Sequence, residues 1–264
     1  MSSINTNRSD EDRSTKSDAG SIHIEDLGMV FDTQEGTERV FEGISLDIEP
    51  GSFVTLLGRS GSGKSTMLNI ISDVLKPSEG RVQFDSESGG DVTLGHVFQS
   101  PRLLPWNTAV ENIEYVHEDN SEYTDKLAKQ YLDMVGLADH YDKYPNQLSG
   151  GQRQRVGIAR ALSIDPEILV MDEPFSNLDE ITAEELRIEL MDIWKELHKT
   201  VFFVTHDMTE AIQLSDRMLM LGDGEIYADL EVPLERPRQV DSDDFLRFRQ
   251  RALDQFHSVK DNGN

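Results

Sequence analysis

Residues 54–68 read VTLLGRSGSGKSTML. An apolar run ends at Gly58, four residues intervene, and Gly63-Lys64-Ser65 opens a segment with helical apolar spacing. A strand, a glycine-rich loop and a helix in that order are the context of a phosphate-binding loop. Its glycines let backbone N–H groups converge on phosphate oxygens, and the helix N-terminus adds the positive end of its dipole. Arg59, Ser60, Gly61, Ser62 and Thr66 complete the loop. In that setting Lys64 reaches the β- and γ-phosphates of a nucleotide, and Ser65 ligates Mg2+. A plain glycine-rich turn would not require a lysine followed by Ser65-Thr66.

On either side of this loop the pattern alternates between strands and helices. SIHIEDLGMVF (21–31), FEGISLDIE (41–49) and SFVTLLG (52–58) read as strands. KSTMLNIISDVL (64–75) reads as a helix running to the KPSEG turn, followed by strands at RVQF (81–84) and VTLGHVFQ (92–99). Residues 107–164 change character and carry three helical patterns, TAVENIEYV, YTDKLAKQYLDMVGL and GGQRQRVGIARALSI. Then come a buried strand EILVMDE (167–173), a helix over 181–199, a buried strand TVFFVTHD (200–207) and an edge hairpin in RMLMLGDGEIYAD (217–229). Strands alternating with helices predict an α/β fold with a mostly parallel sheet. The expected domain layout is a disordered polar tail over 1–20, a nucleotide-binding domain over 21–235 and a C-terminal tail over 236–264. The domain carries a helical insertion at about 99–164. The last segment carries a short helix that turns Phe245, Phe248, Ala252 and Phe256 to the core.

Four apolar residues, Ile168 to Met171, bury a strand and eject Asp172 and Glu173 at its C-terminal edge, where open α/β sheets bind ligands. Asp172 is expected in the Mg2+ shell and Glu173 as the base that polarises an attacking water. Gln99 and His206 also follow strands, so the Gln99 amide can reach metal or water and the His206 imidazole the γ-phosphate. Asp179 lies just past the acidic pair. A second loop, Leu148-Ser149-Gly150-Gly151-Gln152, opens another helix and so forms a second anion site. One chain already surrounds the phosphates with its first loop. The second is useful if it closes over a nucleotide held by another copy, in a two-fold pair with two equivalent sites.

Composition narrows the rest. Asp and Glu total 50 against 25 Lys and Arg, a formal charge of −25. Segments 1–21 and 236–264 are together neutral, so the acid excess sits between them. Such a surface repels nucleic acid, whose non-specific binding needs cationic side chains, and it repels anionic lipid. We read the excess as adaptation to a salty, halophilic cytoplasm, where self-repulsion is screened. With no cysteine, disulfides and thiol chemistry are excluded. No secretory signal and no membrane span is legible, so contact with a membrane is expected only through a partner.

These residues in this order resemble the ATP-binding-cassette (ABC) ATPases. Gly58–Ser65 is similar to Walker A, Gln99 to the Q-loop, Leu148–Gln152 to the signature, Leu169–Glu173 to Walker B, Ser176–Asp179 to the D-loop and His206 to the H-loop. The resemblance implies a P-loop NTPase (RecA-like) core with an antiparallel β subdomain and an inserted α-helical signature subdomain. It implies ATP sandwiched between two domains with Mg2+ (Ser65, Gln99 and Asp172 as its ligands), and Phe31 stacked on adenine. VFQSPRLLPWNTAVENI, VTHDMTEAIQLSDRM and LERPRQVDSDDF resemble importer ATPases of the nitrate, sulfonate and taurine group. That group implies a homodimer or paired ATPase on the cytoplasmic face of the membrane. Its partners would be integral-membrane permease subunits and, indirectly, an extracytoplasmic binding protein. Leu103, Leu104 and Trp106 are candidates for the groove that receives a permease helix, or for packing inside the helical subdomain. The alternatives are an assembly-scaffold ATPase of the same family and another transporter class.

Overall fold

The computed structural model describes residues 19–34, 36–86, 89–117 and 123–258. The tail expected over 1–20 therefore lies almost wholly outside the described residues. Its core is a six-stranded sheet in the order β5-β6-β7-β3-β8-β9. The strands are β3 (Phe53–Gly58), β5 (Leu94–Val97), β6 (Ile168–Asp172), β7 (Thr200–Thr205), β8 (Arg217–Gly222) and β9 (Glu225–Glu231). All pair in parallel except β9, which returns antiparallel to β8 through Asp223-Gly224, both at positive φ. A left-handed pair of this kind matches the twist of a two-residue hairpin.

Strands β3, β6 and β7 are continuous apolar runs because each is covered on both faces. With a side-chain period of two, Val54, Leu56, Val170, Phe202 and Val204 face one core. Phe53, Leu169, Met171, Val201 and Phe203 face the other. The first core is closed by a second, antiparallel sheet, β2-β1-β4, and by helix α1 (Lys64–Ile71). In that sheet β1 is Gly20–Thr33, β2 Gly36–Ile48 and β4 Glu79–Ser86. The second core is closed by α2 (Ala109–Glu114), α3 (Asp125–Met134), α4 (Gly150–Ser163) and α5 (Glu180–Leu197). The first three of these helices fall between β5 and β6 in the chain.

A third cluster joins Leu57, Met218 and Met220 to α6 (Met208–Leu214) and α7 (Asp243–Ser258). Phe245, Phe248 and Ala252 are buried there, and Phe256 packs at the edge. Before α7, the buried Arg238 donates to the carbonyls of Leu234, Ile212, Ser215 and Val232. One side chain thus satisfies four backbone acceptors where the chain leaves the sheet.

Helix α1 differs from its expected extent. The helix expected over 64–75 stops at Ile71, because Asp73 turns left-handed at φ 56° and the N–H groups of Val74 and Leu75 both return to the Asn69 carbonyl. The apolar spacing persists beyond the helix, but Val74 is 70% exposed, so spacing there does not report a buried face.

Phe203 is fully buried between Phe53 and Phe175, with ring centroids 5.9 and 5.8 Å away. Phe203→Ala should lower stability by about 3–5 kcal/mol through lost burial and the cavity left behind. Chemical denaturation checks this, and a change below about 1 kcal/mol would mean that the site collapses around the smaller residue.

Candidate nucleotide site

Because β5, β6, β7 and β3 lie side by side in parallel, the residues after each strand emerge at one edge of the sheet. Gln99, Asp172-Glu173, His206 and the Gly58 loop therefore stand in a row at that edge.

The loop from Gly58 to Gly63 wraps the Lys64 side chain. Lys64 is 5% exposed, and its ammonium donates to the Gly58 and Arg59 carbonyls at 3.0 and 3.1 Å. The Glu173 carboxylate lies 3.4 Å from the same nitrogen. Two glycines are required by geometry. A Cβ on Gly58 would stand 2.5 Å from Ser62 Oγ and 2.7 Å from the Leu221 carbonyl. At Gly63, φ is +99° and a Cβ would lie 2.6 Å from Val40. The Ser62 hydroxyl is buried and has no hydrogen-bond partner, an orphan polar group of the sort that a bound ligand satisfies.

Ser65 Oγ and Asp172 Oδ1 face each other at 3.4 Å, two hard oxygen donors of the type that Mg2+ takes. Burial and the neighbouring Glu173 push the Asp172 carboxyl above the usual aspartate range, against the pull of Ser65, Lys64 and Arg102. A cation held here would relieve both causes. Glu173 is itself unusual. Its φ is +40°, its N–H is fixed on the Val204 carbonyl, and its own carbonyl accepts from the Ser176 hydroxyl. The surroundings thus hold this non-glycine residue in a conformation that L side chains rarely adopt. The Glu173 carboxylate also meets His206 Nδ1 at 2.8 Å. Lys64, Ser65, Asp172, Glu173 and His206 thus form one connected group.

Gln99 joins this group indirectly. Its amide donates to Ser176 Oγ at 3.1 Å, and Ser176 in turn holds the Glu173 backbone. Ser176, the first residue of the segment that resembles the D-loop, is thus the link between Gln99 and Glu173. Phe31 is partly exposed and pairs with Glu38 across β1 and β2, so the two share a face. Glu38 and Val40 line a cavity of about 1180 Å3 together with Arg59–Ser62, the β8–β9 turn and the end of α7. Phe31 is not among the lining residues and reaches the cavity only through its neighbour Glu38, whereas Val40 stands against Gly63 of the loop.

The second loop has other neighbours. Ser149 caps α4: its hydroxyl accepts from Gln152 N at 3.2 Å, and Gln152 Oε1 accepts from Ser149 N at 2.9 Å. The hydroxyl keeps a proton to donate. Gln152 Nε2 meets His140, a residue given no role from sequence. Leu148 is buried, Gly150 packs near Leu178, and a Cβ on Gly151 would strike Thr182 at 2.5 Å. Asp179, the residue immediately before α5 begins at Glu180, is the N-cap of that helix and accepts from the Thr182 N–H and hydroxyl. The second loop and Asp179 are therefore one packed unit. Of the apolar trio after Gln99, Trp106 is 70% exposed, whereas Leu103 packs against the helical core and Leu104 is half-buried.

Comparison with known proteins agrees with this geometry. The profile of the family described as "ABC transporter" matches residues 41–176. The bicarbonate transport ATP-binding protein CmpD of Synechocystis sp. is 42% identical over 88% of this chain and 88% of its own length. The nitrate import ATP-binding protein NrtD of Synechococcus elongatus is 41% identical over 89% of this chain and 91% of its own. The cassette MJ0796, solved as a post-hydrolysis dimer bound to ADP and Pi, superposes with a TM-score of 0.71 at 35% identity. It covers 81% of this chain and 100% of that one.

Gly63→Ala should weaken nucleotide binding roughly tenfold or more, because strain at this φ is worth about 1–3 kcal/mol and the added methyl meets Val40. Titration with a fluorescent ATP analogue reads it; unchanged affinity would show that the loop relaxes without loss.

Proposed function

The chain belongs to the ABC transporter family, and on that premise we propose that it is the ATP-hydrolysing subunit of an importer for small anionic solutes. The observation that carries the catalytic part is Glu173, held left-handed between Lys64 and His206 and directly after Asp172. Its carboxylate is the base that takes a proton from the attacking water. His206 orients that carboxylate and reaches toward the γ-phosphate. Lys64 neutralises phosphate charge from the buried side of the loop, and the loop N–H groups with Ser62 and Thr66 bind phosphate oxygens. The residues fit a divalent cation: Ser65 and Asp172 supply oxygen donors, and Gln99 stands near through Ser176. Mg2+ bound there would withdraw charge from the β- and γ-phosphates. Phe31, the neighbour of the cavity-lining Glu38, stacks on adenine.

Leu148–Gln152 caps the ATP on a second copy, so two chains close on two nucleotides. The packing of Gly151 on Thr182 beside Asp179 supports this reading, because signature loop and D-loop then move together as one rigid surface. No helix among the described residues is long and apolar enough to cross a membrane, which suits a subunit docked beneath a permease at the cytoplasmic face. Exposed Trp106 is the contact offered to it. The bicarbonate and nitrate proteins at about two-fifths identity support a small oxyanion as solute, selected by the permease and an external binding protein.

Glu173→Gln should bind ATP, accumulate as an ATP-bound dimer on size exclusion and lose at least roughly a hundredfold in turnover. Turnover at the wild-type rate would remove Glu173 as the base. Ser149→Arg should abolish turnover while the monomer keeps its ATP affinity, and an active variant would sink the cross-subunit site. Purification from native membranes should bring an integral-membrane subunit along; recovery with none would favour an assembly scaffold.

A further inference from the structure

His206 sits on a short connection between β7 and α6, where nothing in its own side chain explains why the backbone stays in place. The neighbouring residue does. Thr205 is 1% exposed, and its hydroxyl accepts the Asp207 N–H at 3.0 Å while donating to the Glu210 carboxylate at 2.6 Å. Asp207 closes the turn by accepting from the N–H groups of Thr209 and Glu210. The residues on both sides of His206 are therefore pinned through one buried hydroxyl.

Glu210 is in turn held from a different element. It is 7% exposed and faces Arg187 of α5, which is 3% exposed, at 3.4 Å. The other nitrogen of that guanidinium donates to Glu184 at 2.6 Å and Glu180 at 2.9 Å. Glu180 directly follows Asp179, the N-cap of α5, so the same guanidinium reads the first turn of that helix. Burial pushes the Glu210 carboxyl up to about 6, and Asp207 adds to the rise. The Thr205 hydrogen bond, Arg187 and His206 act against it. Glu210 is thus held by the Thr205 hydroxyl and by Arg187 together.

We propose that Arg187, Glu210 and Thr205 are positioning residues for His206, tying its place beside Glu173 to the start of helix α5. The buried Arg187–Glu210 pair is a weak source of stability against an apolar replacement, but moving one partner away leaves the other charge buried and uncompensated, which holds the two groups in place. A shift of α5 at Asp179 pulls Arg187, changes the hold on Glu210 and releases or tightens the Thr205 bridge. Since Asp179 packs with the signature loop, the relay gives the chain an internal route from its partner-facing surface to the histidine. The inference rests on His206 acting in ATP hydrolysis.

The test compares Thr205→Val, which keeps the shape and removes the hydroxyl, with Thr205→Ser, which restores it, and with His206→Ala. Steady-state ATPase assays separate kcat from KM, and thermal melting reports folding. Thr205→Val should lower kcat roughly tenfold with KM changed less than about twofold, and Thr205→Ser should recover most of the loss. The His206 ring signals in NMR spectra should shift or broaden in the valine variant only. Valine turnover at the wild-type rate while His206→Ala is inactive would overturn the relay, as would equal impairment by valine and serine. His206→Ala at the wild-type rate would instead sink the role of the histidine itself. Should the valine variant not fold, Glu210→Gln removes the ion pair without changing volume. A kcat-selective loss there supports the relay, and wild-type kcat overturns it.

Discussion

The site depends on one constraint: strands β5, β6, β7 and β3 run parallel and adjacent, so that each ends at the same edge of the sheet. Neighbouring strands stand about 4.8 Å apart, close enough for side chains leaving successive strands to touch. β7 lies between β6 and β3, so His206 reaches Glu173 Oε2 from the adjacent strand and Lys64 reaches Oε1 from the loop after the next strand on. A different strand order with the same local segments would scatter these groups. Both cores serve this arrangement, since strands covered on two faces cannot slide without exposing one of them.

Within that row the charges are arranged to be incomplete. Lys64 is wrapped by carbonyls and touches one carboxylate, Asp172 is driven up by burial and by Glu173, and the Ser62 hydroxyl has no partner. Each of these conditions would be relieved by an anion bearing a divalent cation, which is why the group supports the proposed nucleotide site. The positive φ of Glu173 belongs to the same logic. Its backbone is held by Val204 and Ser176, so the carboxylate has little freedom to seek a better partner.

The helical face is organised around a second set of constraints. The signature loop caps its own helix and packs on the N-cap region of α5, while the phosphate loop is held by Val40, Leu221 and Glu173. The two loops are thus fixed by different neighbours within one chain. A nucleotide bound at one and covered by the other is naturally supplied by two copies, and the partner-facing unit then includes Asp179 as well as Ser149.

What the sequence determined by itself is local. The glycine-rich loop, the apolar runs at 168–171 and 201–204, and the helix start after Ser149 follow from residue type and spacing, because phosphate loops, doubly covered strands and helix ends each have a short-range chemical requirement. The tertiary structure decided what meets what. It placed β7 between β6 and β3, stopped α1 at Ile71 with apolar residues still to come, set Val40 against Gly63, and joined Gln99 to Glu173 through Ser176. It also buried Arg187 among three carboxylates, two of them on its own helix, and linked the third to Thr205. Gln99 with Ser176, Val40 with Gly63 and Arg187 with Glu210 have no periodicity to read, since each depends on packing between segments apart in the chain. The residues for the chemistry are written locally, and their mutual distances are set by the order in which the strands pack.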